Sequence, residues 1–203
     1  MEFLKNVKFG QDRTSYHYEM SACTHHVEEL VYHNLLEYNP SYLKDVVFIC
    51  IGTDRATGDC LGPLVGTRLE LYNTSLPVFG TLAKPTHAAN LLDVLHEVYQ
   101  RYHAPLVIAI DASLGNTDRI GFINVKKGGL KPGTALKKNL PEVGDFHISG
   151  VVNIGGFMDQ MVLQNTRLYV VYRMAEIIAR AVYLAQLKFD REKNNSLLQP
   201  DQA

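Results

Sequence analysis

Two apolar runs with no polar alternation constrain this chain more than anything else in it. They are Val46-Val47-Phe48-Ile49-Cys50-Ile51 and Leu106-Val107-Ile108-Ala109-Ile110. Each is short for a helix and too uniformly apolar for a strand with one face in water. Strands buried on both faces belong to parallel sheets covered by helices on each side. The first run leads into Gly52-Thr53-Asp54-Arg55-Ala56-Thr57-Gly58-Asp59-Cys60-Leu61-Gly62-Pro63, and the second ends at Asp111. Ligands of open α/β sheets bind in the crevice outside the carboxyl ends of the strands. Asp59 and Asp111 can therefore share one site if their strands are neighbours.

The rest of the chain supplies the helices. Thr24 is placed to cap a helix to about Tyr38, with Val27, Leu30, Val31 and Leu35 on one face, and Asn39-Pro40 ends it. Pro63 suits the first turn of a helix to about Tyr72, where its missing N–H is not needed. Pro77–Thr81 reads as a short strand. A third helix is expected from a Thr86 cap to about Tyr102, burying Leu91, Leu92, Leu95, Val98 and Tyr99. Strands follow at Ile120–Val125 and within Phe146–Ile154, the latter ended by Gly155-Gly156, with a loop over 126–145 between them. From Phe157 to about Lys188 the pattern is helical with a break near Asn165. This alternation predicts an α/β fold: a single three-layer domain, a mostly parallel twisted sheet with helices on both faces. Residues 1–21 read as a loosely attached N-terminal arm, 22–189 as the single α/β domain and 190–203 as a polar, frayed C-terminal tail.

Bulk properties narrow the function classes. A formal net charge of −1 leaves no basic footprint for nucleic acid. The lysines of the 126–138 connection read as a solvated loop. No apolar stretch is long enough to span a membrane, and Met1–Gly10 lacks the apolar region of a signal peptide. Three cysteines, an odd number, argue against a disulfide framework. A cytoplasmic location is the expectation, with no nucleic-acid or membrane partner.

The glycine-rich turn does not fit a phosphate loop. Five residues separate Gly52 from Gly58, and an aspartate follows the second glycine where the phosphate-binding pattern has lysine and a hydroxyl residue. Alone, Asp54 or Asp59 could cap a turn, and Asp111 could accept amides at a strand end. Together Asp59 and Asp111 support sharper chemistry: two close carboxylates split their proton affinities, so one acts as base while the other donates a proton. The other option is a divalent metal on Asp59 and Asp111 completed by a histidine, with His147 and His87 as candidates. His25, His26 and His33 fall on the first helix. Cys60 has acidic neighbours, which raise a thiol's pKa rather than activate it, and Ser113 lacks a nucleophile elbow.

These motifs resemble known proteins. Gly52 through Pro63, Val107-Ile108-Ala109-Ile110-Asp111-Ala112 and Gly129-Leu130-Lys131-Pro132-Gly133-Thr134-Ala135 are similar to segments of the spore germination protease. The chain resembles still more the small YyaC-type sporulation proteins of spore-forming bacteria. That likeness rests on the Gly52–Gly66 loop, the Ile110-Asp111-Ala112 strand end, and Val152-Asn153-Ile154-Gly155-Gly156-Phe157-Met158 followed by Leu163-Gln164-Asn165-Thr166-Arg167-Leu168. The resemblance implies the fold shared by the germination protease and the hydrogenase-maturation endopeptidases. It carries the two catalytic aspartates onto Asp59 and Asp111, and it leaves a third site residue open.

The function expected from both lines is a peptidase of sporulation or germination that hydrolyses a peptide bond in a protein substrate, with spore proteins as candidates. Gly52, Thr53, Asp54, Gly58 and Gly62 would line the substrate cleft, their backbone offering donors to an oxyanion. The alternative is a catalytically inactive, peptidase-like binding or regulatory protein acting in sporulation. A homo-oligomer built on a Tyr/Leu surface of the first or last helix is a further expectation.

Overall fold

The computed structural model describes residues 14–73, 76–132 and 140–198. Part of the expected germination-protease-like loop, Gly133-Thr134-Ala135, lies outside the described residues, as do 1–13 of the arm and 199–203 of the tail. The elements in chain order are β1 (Ser15–His17), α1 (Cys23–Tyr38), β2 (Val46–Cys50), α2 (Leu61–Tyr72), β3 (Val78–Phe79), α3 (Leu91–Arg101), β4 (Leu106–Gly115), β5 (Phe122–Lys127), β6 (Phe146–Ile154), α4 (Asp159–Gln164) and α5 (Leu168–Leu198). Short 3₁₀ turns at Thr57–Cys60 and Thr117–Arg119 precede α2 and β5.

The six strands form one sheet in the order β1-β5-β6-β4-β2-β3. The four strands from β6 to β3 are mutually parallel, whereas β5 and β1 add antiparallel edges. Every residue of β2 is buried, as a strand covered on both faces requires. Val46, Phe48 and Cys50 face α1, α2 and α5 with Leu106, Ile108, Ile110, Phe146 and Ile148. Val47 and Ile49 point the other way, with Val107 and Ala109, onto Leu91, Val94 and Val98 of α3. The α/β architecture with helices on both faces is as the sequence predicts.

Three local departures have physical causes. α3 starts at Leu91 rather than near Thr86, because Thr86 is used in a parallel bridge to Ile51 and its carbonyl accepts the Gly52 N–H at 2.8 Å. The helix therefore buries Leu91, Val94 and Val98. Leu92 and Tyr99, expected in the core, are 61% and 59% exposed. Near the N-terminus, Ser15–His17 hydrogen-bond to β5 as an edge strand within the stretch expected to form an arm. At the other end α5 continues through Leu198, past the expected start of the tail at Asp190, with Phe189 buried against Tyr42.

Candidate active site

β2 and β4 are hydrogen-bonded neighbours, in register from Val46↔Leu106 to Cys50↔Ile110. β2 ends there, with the Ile51 N–H on the Ile110 carbonyl at 2.7 Å. β4 does not end at Asp111: it runs on to Gly115 because β6 keeps pairing with it, Asp111 opposite Ser149 and Ala112 opposite Gly150. Asp111 is thus the first residue of β4 beyond the end of its neighbour, on the side from which the β2–α2 turn returns. Asp59 lies in that turn, and its charge acts on the Asp111 carboxyl, so the end of β2 and the middle of β4 bring the two carboxylates together.

The turn is built by its own backbone. The Thr53 N–H donates to the Asp59 carbonyl at 3.1 Å and the Asp59 N–H to the Ala56 carbonyl at 2.9 Å. Gly52 has φ +140°, and a Cβ there would collide with the Asp59 carbonyl oxygen, so only glycine allows the fold-back. Gly62 lies against the Ile51 backbone, and Gly58 against Leu163 and the Thr166 hydroxyl. Gly52, Gly58 and Gly62, expected to line a substrate cleft, thus each have a packing reason to lack a side chain. The Gly52, Thr53 and Asp59 amides are engaged with carbonyls, so they are not spare oxyanion donors. Asp54 is exposed and Thr53 half-buried, its hydroxyl accepting the Arg55 N–H at 3.3 Å.

The electrostatics distinguish the pair from ordinary surface acids. Burial pushes the half-buried Asp59 carboxyl up to about 6, opposed by the Thr53 backbone amide. Asp111 is buried, and its carboxyl is held well above the usual range, first by desolvation and then by the charge of Asp59; the Ala112 N–H at 2.7 Å on Oδ1 works against this. Of the two, Asp111 is the more deeply buried, and the Asp59 charge adds to its proton affinity. Cys60 is no nucleophile in this setting. Burial and the Asp59 charge push its thiol up to about 11, and its Sγ donates to the Thr57 carbonyl at 3.0 Å.

The histidines do not join the pair. His147 stands opposite Ala109 and Lys126, two residues before Ser149 on β6, and its Nδ1 lies 2.8 Å from the Gly128 carbonyl. The His87 N–H donates to Asn90 Oδ1, and its Nδ1 accepts the Ala89 N–H. On α1, His25 and His33 lie beside Glu28 and Glu29, and His26 stacks on Tyr16. Among the described residues no three His, Cys, Asp or Glu side chains gather as metal ligands. The set Asp59, Asp111 and His147 is therefore not assembled as a metal site.

Other contributors escape sequence inspection. Leu163 of α4 is buried against Gly58, and Thr166 is held by Asn153 Nδ2 at 3.2 Å while its hydroxyl donates to the Val162 carbonyl at 2.8 Å. These residues join the Val152–Met158 and Leu163–Leu168 motifs to the back of the Asp59 turn. Only the recurrence of both motifs alongside the glycine turn hinted at the connection. No helix among the described residues is long and apolar enough to cross a membrane.

Comparison with known proteins places the chain. Uncharacterized protein YyaC of Bacillus subtilis (strain 168) is 46% identical over 156 residues, 76% of this chain and 76% of that protein. Among solved structures, the NiFe hydrogenase maturation protease HycI from Thermococcus kodakarensis aligns with 73% of this chain and 98% of its own, at 18% identity and a TM-score of 0.40. The family described as "Protein of unknown function (DUF1256)" matches residues 15–181. With that match over most of its length, the chain belongs to the DUF1256 family.

Proposed function

We propose that this protein is a peptidase of the aspartate-pair type that hydrolyses a peptide bond in a protein substrate inside a spore-forming cell. The observation that carries the reading is the coupled pair itself: Asp59 and Asp111, desolvated where β2 ends beside β4, with the Asp59 charge raising the proton affinity of Asp111. Surface acids that merely cap turns are not desolvated together in this way. The motif resemblance to the germination protease, which bears on these same two residues, supports the reading independently.

The asymmetry of the pair assigns the roles. Ionised Asp59 takes a proton from water as the oxygen attacks the scissile carbonyl carbon. Protonated Asp111 then gives its proton to the amide nitrogen as the carbon–nitrogen bond breaks. The products are a carboxylic acid and an amine, and the pair is restored by proton exchange with solvent. No step needs a metal, and the described residues do not assemble a ligand set for one.

The test compares wild type with Asp59→Asn and Asp111→Asn on small acid-soluble spore proteins, with products read by mass spectrometry from pH 5 to 8. Cleavage by wild type that both variants lose supports the reading. A chelator that abolished it would overturn the metal-free mechanism. Cleavage that survives in both variants would remove the pair from the chemistry, and binding without cleavage would favour the regulatory alternative.

A further inference from the structure

β3 leaves one edge of the sheet open, and a groove lies beside it. It is the last strand in the order β1-β5-β6-β4-β2-β3, and residues from Leu76 to Gly80 line the groove. The register shows which backbone groups face outward. Val78 stands opposite Phe48, and the Phe48 N–H donates to the Pro77 carbonyl at 2.8 Å. In a parallel ladder a residue bonds to the two residues flanking its partner, so Pro77 and Phe79 turn toward β2. The Val78 N–H and C=O therefore point away from β2, out of the sheet, and neither has a partner among the described residues. Unpaired groups on an open edge are a template for another strand.

The walls of the groove suit the side chains of such a strand, which alternate between the two faces of the sheet. On one face Leu76 and Val78 pack with the core under α2; on the other Phe79 and Tyr102 pack with the core under α3. The α2 wall carries a single charge in the groove, Glu70, which is exposed and has no ion-pair partner among the described residues. The other charges of the groove, Lys84, Glu97 and Arg101, are of both signs and select no one charge. Complementarity thus asks for a cation on the α2 side of the occupant.

We infer that the groove docks an extended segment of a protein substrate as a further strand beside β3, with a Lys or Arg side chain of that segment against Glu70. A residue of an antiparallel strand opposite Val78 exchanges both hydrogen bonds with it, and the helices on each face hold the flanks. The occupant is a substrate because the groove leads to the aspartate pair. Thr86 lines it, and the Thr86 carbonyl holds the Gly52 amide at the start of the Asp59 turn. That identity rests on the peptidase reading; the strand docking does not. Neighbouring strands lie about 4.8 Å apart, so a strand beside β3 stands roughly 14 Å from β4. About four or five extended residues then separate the docked segment from the scissile bond.

Two readouts separate the docking from the peptidase reading. The first is the Val78 amide resonance, titrated with a capped decapeptide that alternates Thr on one strand face with Lys and Val on the other, and with the same peptide carrying Glu in place of Lys. The Val78 N–H should move downfield as the Lys peptide saturates, with an affinity about 2- to 5-fold above that of the Glu peptide. Glu70→Lys should reverse the preference. Val78→Pro removes the outward N–H and no ladder bond, a placement that edge strands tolerate, and should weaken the Lys peptide about tenfold. A Val78 N–H unmoved at millimolar peptide overturns the inference. So does a preference for the Lys peptide that persists in Glu70→Lys, a surface change that serves even where Val78→Pro fails to fold. The second readout is kinetic: on small acid-soluble spore proteins, Val78→Pro should raise KM about tenfold at unchanged kcat. An unchanged KM in folded Val78→Pro overturns the docking while the peptidase reading stands. Peptide binding by a protein that cleaves nothing leaves the strand docking standing and overturns the occupant's identity as substrate, together with the peptidase reading.

Discussion

A well-defined groove and the most perturbed carboxylates among the described residues lie in different places. A groove of about 430 Å³ runs along the edge strand β3, between residues such as Phe79, Lys84, Pro85 and the Glu97, Arg101 and Tyr102 side of α3. Its charged residues are solvated and of both signs. The Asp59–Asp111 site is distinguished instead by two carboxylates that are withdrawn from water and interact. Thr86 touches both regions, lining the groove while its carbonyl holds the Gly52 amide. The contrast teaches that space and reactivity are separate properties. A groove forms wherever a short edge strand leaves a helix overhanging, whereas raised proton affinity requires that a carboxylate be desolvated, and a like charge beside it adds to the effect.

The largest effect expected from this contrast is on chemistry. Asp59→Asn or Asp111→Asn should lower the rate of peptide cleavage by about 10²–10⁴-fold, the usual loss for a general acid or base. Lys84→Ala and Arg101→Ala in the groove should leave kcat on a short peptide unchanged. A groove variant that matched the aspartate variants would erase the distinction between the two regions.

Next comes the scaffold under the pair. Gly62→Ala pushes a methyl group into the Ile51 backbone and should cost about 1–3 kcal/mol, a fall in Tm of roughly 2–4 °C per kcal/mol in a chain of this size. Thermal unfolding followed by circular dichroism checks it. An unchanged Tm would mean that the β2–α2 turn is not pinned as described.

A pH-dependent stability effect of similar or smaller size follows from Asp59. Its carboxyl is raised from 3.8 to about 6, so the folded state binds the proton more tightly than the unfolded chain. Stability is therefore highest below the unfolded value and declines as pH rises through the folded one, the opposite of a salt-bridged acid. Asp59→Asn removes this penalty. The variant should be more stable than wild type at pH 8 by about 1–3 kcal/mol, and the advantage should vanish as pH falls toward 4. Denaturant titration at both pH values decides it, and a variant less stable than wild type at pH 8 would show that the Asp59 carboxylate is not desolvated.

The smallest expected effect concerns Cys60. With the thiol pushed up to about 11, Cys60→Ser should change the cleavage rate by no more than about threefold, because a protonated thiol is no nucleophile at neutral pH. Loss of activity comparable to that of the aspartate variants would move the chemistry onto the cysteine.

Legibility of the sequence differed sharply between elements. α1 and β2 were readable because their signals are local: a 3.6-residue stripe at Val27, Val31 and Leu35, and a period-free apolar run at Val46–Ile51. The start of α3 departs from its local signal because Thr86, a good cap by type, is used by a strand bridge that only the folded chain supplies. Leu92 and Tyr99 looked buried because apolar residues on both flanks of the α3 stripe suggest a wider one than the sheet can cover. β1 carries no local signal, because three residues without a clear alternation become a strand only when β5 is there to pair with them.

The apolar runs alone establish a pair of doubly buried strands and a carboxylate following each run, since exclusion of water from such runs is a property of the residues themselves. The sequence by itself also determined that the β2–α2 turn must be glycine-rich, because only glycine reaches the backbone conformation at Gly52. The tertiary structure alone decided that β2 and β4 are neighbours, that β4 continues past Asp111, and that His147 stays with the Gly128 carbonyl. Those are facts of strand order and register. They are set by backbone hydrogen bonds between segments far apart in the chain, and no local pattern of side chains encodes them.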